Sequence, residues 1–337
     1  MGCFKKAFPA FLIIGLLAGC VTGFDENVAS NVGLFDDGIK NMGAVVNRHF
    51  DDTENASRKA LENNLKLQFD LGGTPNMDLP PLFTAEDRLA RSSILEALSI
   101  YSGRLTNALA GRRKEPPLTG VSDRLEKIEE GTFDISHSSS ANFSDNLVSS
   151  LSGFSKILLA PKVNRKLGEI VATAHPYVEK LASLLYLDLG STTDQSELCD
   201  DEPLISKHFN SISEIKLCTG GLRELMSMSV AADIITLQQR VALVSAKIPA
   251  DITGRQKYVS EILMLQQTGQ RQDAIIHGTQ KALIQMVAAH QELRDAFGGN
   301  SEEALPLTLN PGERALDPIS VFANSASSLI AQLNRVN

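Results

Sequence analysis

The sequence lacks the pattern that would place it among β proteins. No stretch keeps up the alternation of apolar and polar residues that is typical of half-buried strands. No internal repeat of fixed length is visible either. Apolar residues instead recur at helical spacing along most of the 337 residues. We therefore expect an all-α protein.

Motifs that carry catalysis or cofactor binding are also missing. The chain has no HExxH, GxSxG, Walker A or GxGxxG sequence. We interpret His290, with Glu292 nearby, as a partly buried structural histidine. The six histidines of the chain are scattered without the spacing of a metal site: His49, His137, His175, His208, His277 and His290. We therefore expect no enzyme, no cofactor and no metal site.

An excess of positive charge is absent as well. The formal net charge is −8, and removing the N-terminal segment with its two lysines, Lys5 and Lys6, leaves −10. An acidic protein is repelled by nucleic-acid phosphates and by anionic lipid surfaces. Nucleic-acid binding is therefore disfavoured.

The N-terminus carries the features of a secretion signal. Lys5 and Lys6 form its positive start, Ala7–Ala18 its apolar stretch, and Ala18-Gly19 supply the small residues that a peptidase needs. A hydrocarbon core of about 30 Å needs about 20 helical residues. The apolar stretch of twelve residues is therefore a targeting element and not a membrane-spanning helix.

The stretch Leu16-Leu17-Ala18-Gly19-Cys20 resembles the lipobox of bacterial lipoprotein precursors, over about twenty residues. The resemblance implies cleavage before Cys20, lipidation of its sulfur and acylation of the new terminus. Several acyl chains, at about 0.8 kcal/mol per buried CH₂, anchor a protein far more durably than one. Because Val21 follows instead of Asp, the resemblance implies the periplasmic face of the outer membrane. The alternative is an ordinary secretion signal with a chance cysteine.

Two further cysteines, Cys199 and Cys218, would lie in a compartment that permits disulfides. A continuous helix from Glu202 to Cys218 would be about 24 Å long, and three extended residues recover only about 10 Å. The Cα atoms of a disulfide lie within about 7 Å of each other. Pairing therefore requires the helix to break before Cys218, and both possibilities remain open.

The first helix is predicted from Phe24 to about Leu71 by a stripe of apolar residues at steps of four and three. Gly33, Gly38 and Gly43 each weaken its propensity by about 1 kcal/mol relative to Ala. They either allow another helix to approach closely or mark fraying near the anchor.

A second helix should begin at Thr84, with Asp87 completing a capping box. Its apolar face contains Ile94, Leu98 and Leu105. Further helices are predicted at 122–130, 142–159, 163–189 with a kink at Pro176, 202–247 as one helix or two split at Gly220-Gly221, and near the C-terminus around 321–333.

The clearest periodicity lies between Tyr258 and Phe297, where apolar residues follow at steps of four and three in a coiled-coil-like seam. A helix of about forty residues is about 60 Å long. Polar residues interrupt the seam at Gly269, Gln272 and Thr279. They could line a ligand groove, but such residues more often set the register between helices.

Together these patterns predict an elongated antiparallel helical bundle with long coiled-coil-like helices. Residues 1–19 form the signal, 20–23 a lipidated tether, 24–299 the bundle, and 300–337 a Pro-containing segment with a short helix. We expect a non-enzymatic scaffold or partner-binding module of the cell envelope, held to the membrane by acylated Cys20 and bound to an envelope protein or to itself. The alternative is a lipoprotein that binds a small ligand or metal in a groove of the bundle.

Overall fold

The computed structural model describes residues 26–110, 143–159, 167–190, 220–248, 251–298 and 317–336. These residues form seven helices and no strand, which confirms the all-α prediction. The helices are α1 (Glu26–Asp70), α2 (Ala85–Leu109), α3 (Phe143–Leu159), α4 (Leu167–Leu189), α5 (Gly221–Lys247), α6 (Ile252–Gly298) and α7 (Pro318–Val336). The signal with Cys20, the pair Cys199 and Cys218, and the predicted helix 122–130 lie outside the described residues.

Helix boundaries follow local signals in the sequence. The Thr84 side chain accepts a hydrogen bond from the backbone N–H of Asp87, and the Asp87 carboxylate accepts one from the backbone of Thr84, each at 3.0 Å. This is the predicted capping box. Helix α5 begins at Gly221, the point at which one of the two alternatives for 202–247 placed a split, and residues 202–219 lie outside the described residues. Helix α4 continues through Pro176 as one helix.

Helices α1 and α6 are the longest, with 45 and 47 residues, and at 1.5 Å per residue each is about 70 Å long. Side-chain contacts give their relative directions. Asp52 with Gln272, and His49 with Thr279, show that α1 and α6 run antiparallel. Helix α2 is also antiparallel to α1, because α1 contacts it through Asp51–Arg88 and Asp36–Ser102. Helix α5 is parallel to α1, as Asn63–Asp233 and Asp70–Arg240 show.

The hydrophobic core lies where the N-terminal half of α1 and the C-terminal half of α6 meet the shorter helices. Gly38 explains one close approach, because a Cβ there would collide with the buried ring of Phe322 on α7. A Cβ at Gly33 would meet nothing within 4 Å. Of the three glycines noted in α1, Gly38 therefore serves helix packing most directly.

The C-terminal part of α1 and the N-terminal half of α6 contain fewer buried residues. We call residues 55–70 of α1, helix α5 and residues 252–271 of α6 the three-helix arm. No residue of 252–271 is buried, whereas twelve residues of α6 are buried from Gln272 onward. Within the part of the chain that the structure describes, no helix is long and apolar enough to cross a membrane.

Candidate functional site

Three buried aromatic side chains from three helices form a hydrogen-bonded chain in the core. His290 of α6 lies 2.9 Å from the hydroxyl of Tyr101 on α2 through Nε2, and 3.0 Å from Nδ1 of His175 on α4 through its own Nδ1. The two imidazole rings are stacked, with centroids 5.2 Å apart. In the contact between His175 and His290, one Nδ1 must donate a proton and the other must accept it. The contacts therefore fit neutral imidazoles.

Burial keeps these histidines neutral. It lowers the pKa of His290 to about 3, with the neighbouring His175 and Arg294 adding to the effect. Burial also lowers the pKa of His175 and raises that of the Tyr101 hydroxyl. His290 is fully buried, deeper than the sequence indicated. Solvent cannot reach His290, and its two contacts join α2, α4 and α6. Both observations support the interpretation of His290 as a structural histidine.

A second buried contact joins α1 to α6. Nε2 of His49 lies 2.8 Å from the hydroxyl of Thr279, and that hydroxyl donates to the carbonyl of Ile275 at 3.0 Å. Since the threonine proton is used there, His49 donates from Nε2. Burial lowers the pKa of His49 to about 3.

The three polar positions of the α6 seam all lie at contacts between helices. Thr279 meets α1 through His49, Gln272 donates to Asp52 of α1 at 3.1 Å, and Gly269 lies against Val230 of α5. Gln272 and Thr279 are buried. These contacts support the register role rather than a ligand groove along the seam.

A buried ion pair connects α2 with α4. The Arg91 guanidinium donates to both oxygens of Asp188, at 2.6 and 2.8 Å, and Asp87 lies 3.4 Å away on the same helix. Burial by itself lowers the pKa of Arg91, but the Asp188 and Asp87 carboxylates outweigh it and raise the pKa. No group of three or more metal-ligating side chains converges among the described residues.

The exposed surface of the three-helix arm has a second periodicity, which points away from the core. On α5 and on α6, exposed residues follow at steps of four and three, the spacing of a coiled-coil seam. We call these two rows the outer stripes. They consist of Met228, Ala232, Ile235, Gln239, Ala242 and Ala246 on α5, and Ile252, Gln256, Val259, Leu263, Gln266 and Gln270 on α6.

Contacts between α5 and α6 set the two stripes level with each other. The helices run antiparallel, and the contacts that fix their register are Arg223–Asp273, Val230–Gly269 and Arg240–Tyr258. In this register Ile235 lies level with Leu263, near the middle of both stripes. At 100° per residue, the α6 stripe is about a quarter-turn from the α5–α6 contact line, and the α5 stripe points further outward, about 150° from that line. Both stripes lie on the side away from α1. They therefore share the outer side of the helix pair, which we call the α5–α6 face.

This face carries no charge. None of its twelve residues is charged, and Ile235 and Leu263 are each 54% exposed. Of the 23 exposed residues of α5 and 252–271 together, three are charged: Lys247, Lys257 and Arg271. On α1, eight of 19 exposed residues are charged. Solvated helix faces are usually charged, so an uncharged row at seam spacing indicates a surface that packs against something.

A cavity of about 480 Å³ lies beside the end of α1. Its lining is mostly apolar and includes the exposed side chains of Phe69 and Met77. Arg240 and Asp70 are among its charged lining residues. The volume falls within the range of about 300–1,000 Å³ that is usual for small-molecule sites.

Sequence reasoning identified the inward-facing stripe of α6 between Tyr258 and Phe297, whose residues are buried or partly buried, but it missed the outer stripes. Their signal was available, because the steps from Met228 to Ala246 and from Ile252 to Gln270 are regular. The inward-facing stripe of α6 has the stronger apolar pattern, and the outer stripes were overlooked beside it. The lipidation site Cys20 and the possible disulfide of Cys199 with Cys218 remain predictions.

Comparisons with protein-family models, with curated proteins and with solved structures gave no match. Function is therefore inferred from this chain alone.

Proposed function

We propose that this chain is a lipid-anchored envelope protein that acts as a non-enzymatic helical scaffold and binds a partner through the α5–α6 face. The observation that carries the proposal is the pair of outer stripes: twelve exposed, uncharged residues at coiled-coil spacing on two level helices. A second helical element could pack into them without burying an unpaired charge, which would be costly.

The anchor rests on the lipobox-like stretch ending at Cys20. Five residues separate Cys20 from Glu26, where α1 begins, so the two positions are at most about 20 Å apart. Asn63, which contacts α5 through Asp233, lies 37 residues further along α1, or about 55 Å along the helix axis. The proposed arrangement therefore holds the binding face well away from the lipid, at the end of a helical spacer. Localisation at the periplasmic face of the outer membrane is part of the proposal.

In-cell crosslinking tests this function. A photo-crosslinking amino acid replaces Ile235 on the face, or Leu61 at a similar height on α1 as the matched control, since Leu61 is also an exposed apolar helix residue. We expect one reproducible adduct from position 235 that is weak or missing from position 61. Cys20→Ala should reduce the adduct, because the chain loses its place at the membrane. Equal and unspecific adducts from both positions would contradict partner binding by this face.

The cavity beside Phe69 favours a second candidate, the binding of a small apolar ligand. A thermal shift with a panel of hydrophobic compounds tests it, because a ligand that binds only the folded state raises the melting temperature. Met77→Ser should abolish such a shift, whereas Leu61→Ser, outside the cavity, should leave it unchanged. If no compound raises the melting temperature, this candidate is wrong.

A further inference from the structure

The uncharged face offers its partner two helices rather than one groove. The outer stripes run antiparallel and level, and their apolar side chains are spread over both helices. A partner that fits such a surface must itself present apolar side chains at seam spacing. Among the described residues, the same face is a surface that meets this requirement.

We infer that the partner is a second copy of this chain, which packs its α5–α6 pair against the first to form an antiparallel four-helix bundle. This inference rests on the proposed function, because it names the occupant of the face proposed there. In a two-fold dimer the same patch is used on both copies, so the patch must be compatible with itself.

Charge makes the face suited to self-association. The whole chain has a net charge of −8, so two copies repel each other over most of their surface. The outer stripes are free of charge, and the nearest charged exposed residues of these helices, Lys257 and Arg271, are not part of the stripes. Apposing the stripes therefore buries no charge of their own and places no like charges directly opposite. The partly buried Arg255 lies beside the α6 stripe, and its guanidinium donates to the backbone carbonyl of Asp251.

The centre of the face has the right residues for a two-fold contact. Ile235 and Leu263 lie level near the middle of the stripes, and both are half-exposed. Whether α5 lies over the second copy's α5 or over its α6, the middle of one face meets the middle of the other. Ile235 and Leu263 of one copy then contact the central apolar residues of the other.

The area is sufficient for a specific dimer. Each stripe spans 19 residues, about 27 Å from its first to its last Cα atom, and two helices side by side are about 20 Å wide. The two copies together would bury about 1,100 Å², just above the roughly 1,000 Å² expected of a specific interface. Because the stripes contain four glutamines and three alanines, we expect a reversible dimer with a dissociation constant in the micromolar range rather than an obligate one.

Sedimentation equilibrium of the full chain in mild detergent tests the inference. The double substitution Ile235→Glu with Leu263→Glu should weaken dimerisation at least about 30-fold, as expected for removing central apolar contacts. Ile235→Lys with Leu263→Lys should do the same. Mixing the two variants should restore a dimer, because each acidic centre then meets a basic one. Leu61→Glu is the matched control and should leave dimerisation unchanged.

The rescue by mixing separates self-association from a merely structural effect, and circular dichroism of each variant checks that the helices are retained. A wild-type chain that stays monomeric at hundreds of micromolar, or a dimer that survives the Glu pair, would overturn the inference. In the in-cell crosslinking experiment, an adduct of two identical chains supports it. An adduct with a different protein would refute self-association and leave the proposed function intact. Crosslinks only within one chain, such as to residues 191–219, would refute both.

Discussion

Arg91 can be replaced by methionine to measure what the buried ion pair between α2 and α4 contributes. Methionine keeps much of the side-chain length and removes only the charged fork. Arg91 and Asp188 are each 2% exposed, and Asp87 is fully buried. The guanidinium also lies over the ring of Phe50, 5.3 Å from its centroid. The substitution therefore leaves two buried carboxylates without their cation.

The expected cost follows from this geometry. Removing one partner of a buried ion pair destabilises a protein by about 3–5 kcal/mol, because the remaining charge is buried and uncompensated. In a chain of this size the melting temperature should fall by about 10 °C. Replacing both partners, as in Arg91→Met with Asp188→Leu, should recover at least half of the loss, since a well-packed apolar pair can substitute for a buried ion pair.

Urea unfolding followed by far-ultraviolet circular dichroism measures these effects, because the chain is helical and has no tryptophan. Arg88→Met is the matched control on the same helix. Arg88 pairs with Asp51 at 2.8 Å, but both side chains are about half-exposed, at 40% and 52%. Exposed pairs contribute roughly 0–1 kcal/mol, so Arg88→Met should change the free energy of unfolding by no more than about 1 kcal/mol.

Equal effects of Arg91→Met and Arg88→Met would refute the reasoning, because burial would then make no difference. A double variant less stable than Arg91→Met would also refute it, since that would mean the unpaired Asp188 carboxylate is not the source of the cost.

Two further predictions concern the folded state. His49→Gln should flatten the acid dependence of stability: burial lowers the pKa of His49 to about 3, so the unfolded chain takes up the proton as the pH falls below about 6.5. Urea unfolding measures the difference in the free energy of unfolding between wild type and this variant. That difference should shrink by about 2 kcal/mol from about pH 8 to about pH 5. A difference that stays constant would show that His49 is not buried and neutral. Gly38→Ala should destabilise by about 1–3 kcal/mol because its Cβ meets the Phe322 ring, whereas Gly33→Ala should stabilise by up to about 1 kcal/mol. Thermal unfolding compares the pair, and a stabilising Gly38→Ala would contradict the close packing of α1 on α7.

Much of the fold was predictable because helices are specified locally. The stripe of α1, the capping box at Thr84, the start of α5 beside Gly220 and the inner seam of α6 all depend on residues a few positions apart. Their spacing places apolar side chains on one face whatever the helix later meets. The lipobox-like stretch ending at Cys20 is likewise a local signal, and it defines the proposed anchor.

The partners of each helix depended on the tertiary structure. Arg91 and Asp188 are 97 residues apart in the chain, and Tyr101 and His290 are 189 apart, so no local pattern links them. The α5–α6 face also depended on the tertiary structure. The spacing of residues marks two rows on α5, one of which is the outer stripe, and only the packing of α5 against its neighbours decides which row is buried. Because α1 lies on one side of the α5–α6 pair, Ile235 and Leu263 are left on the other, where they can meet a second molecule.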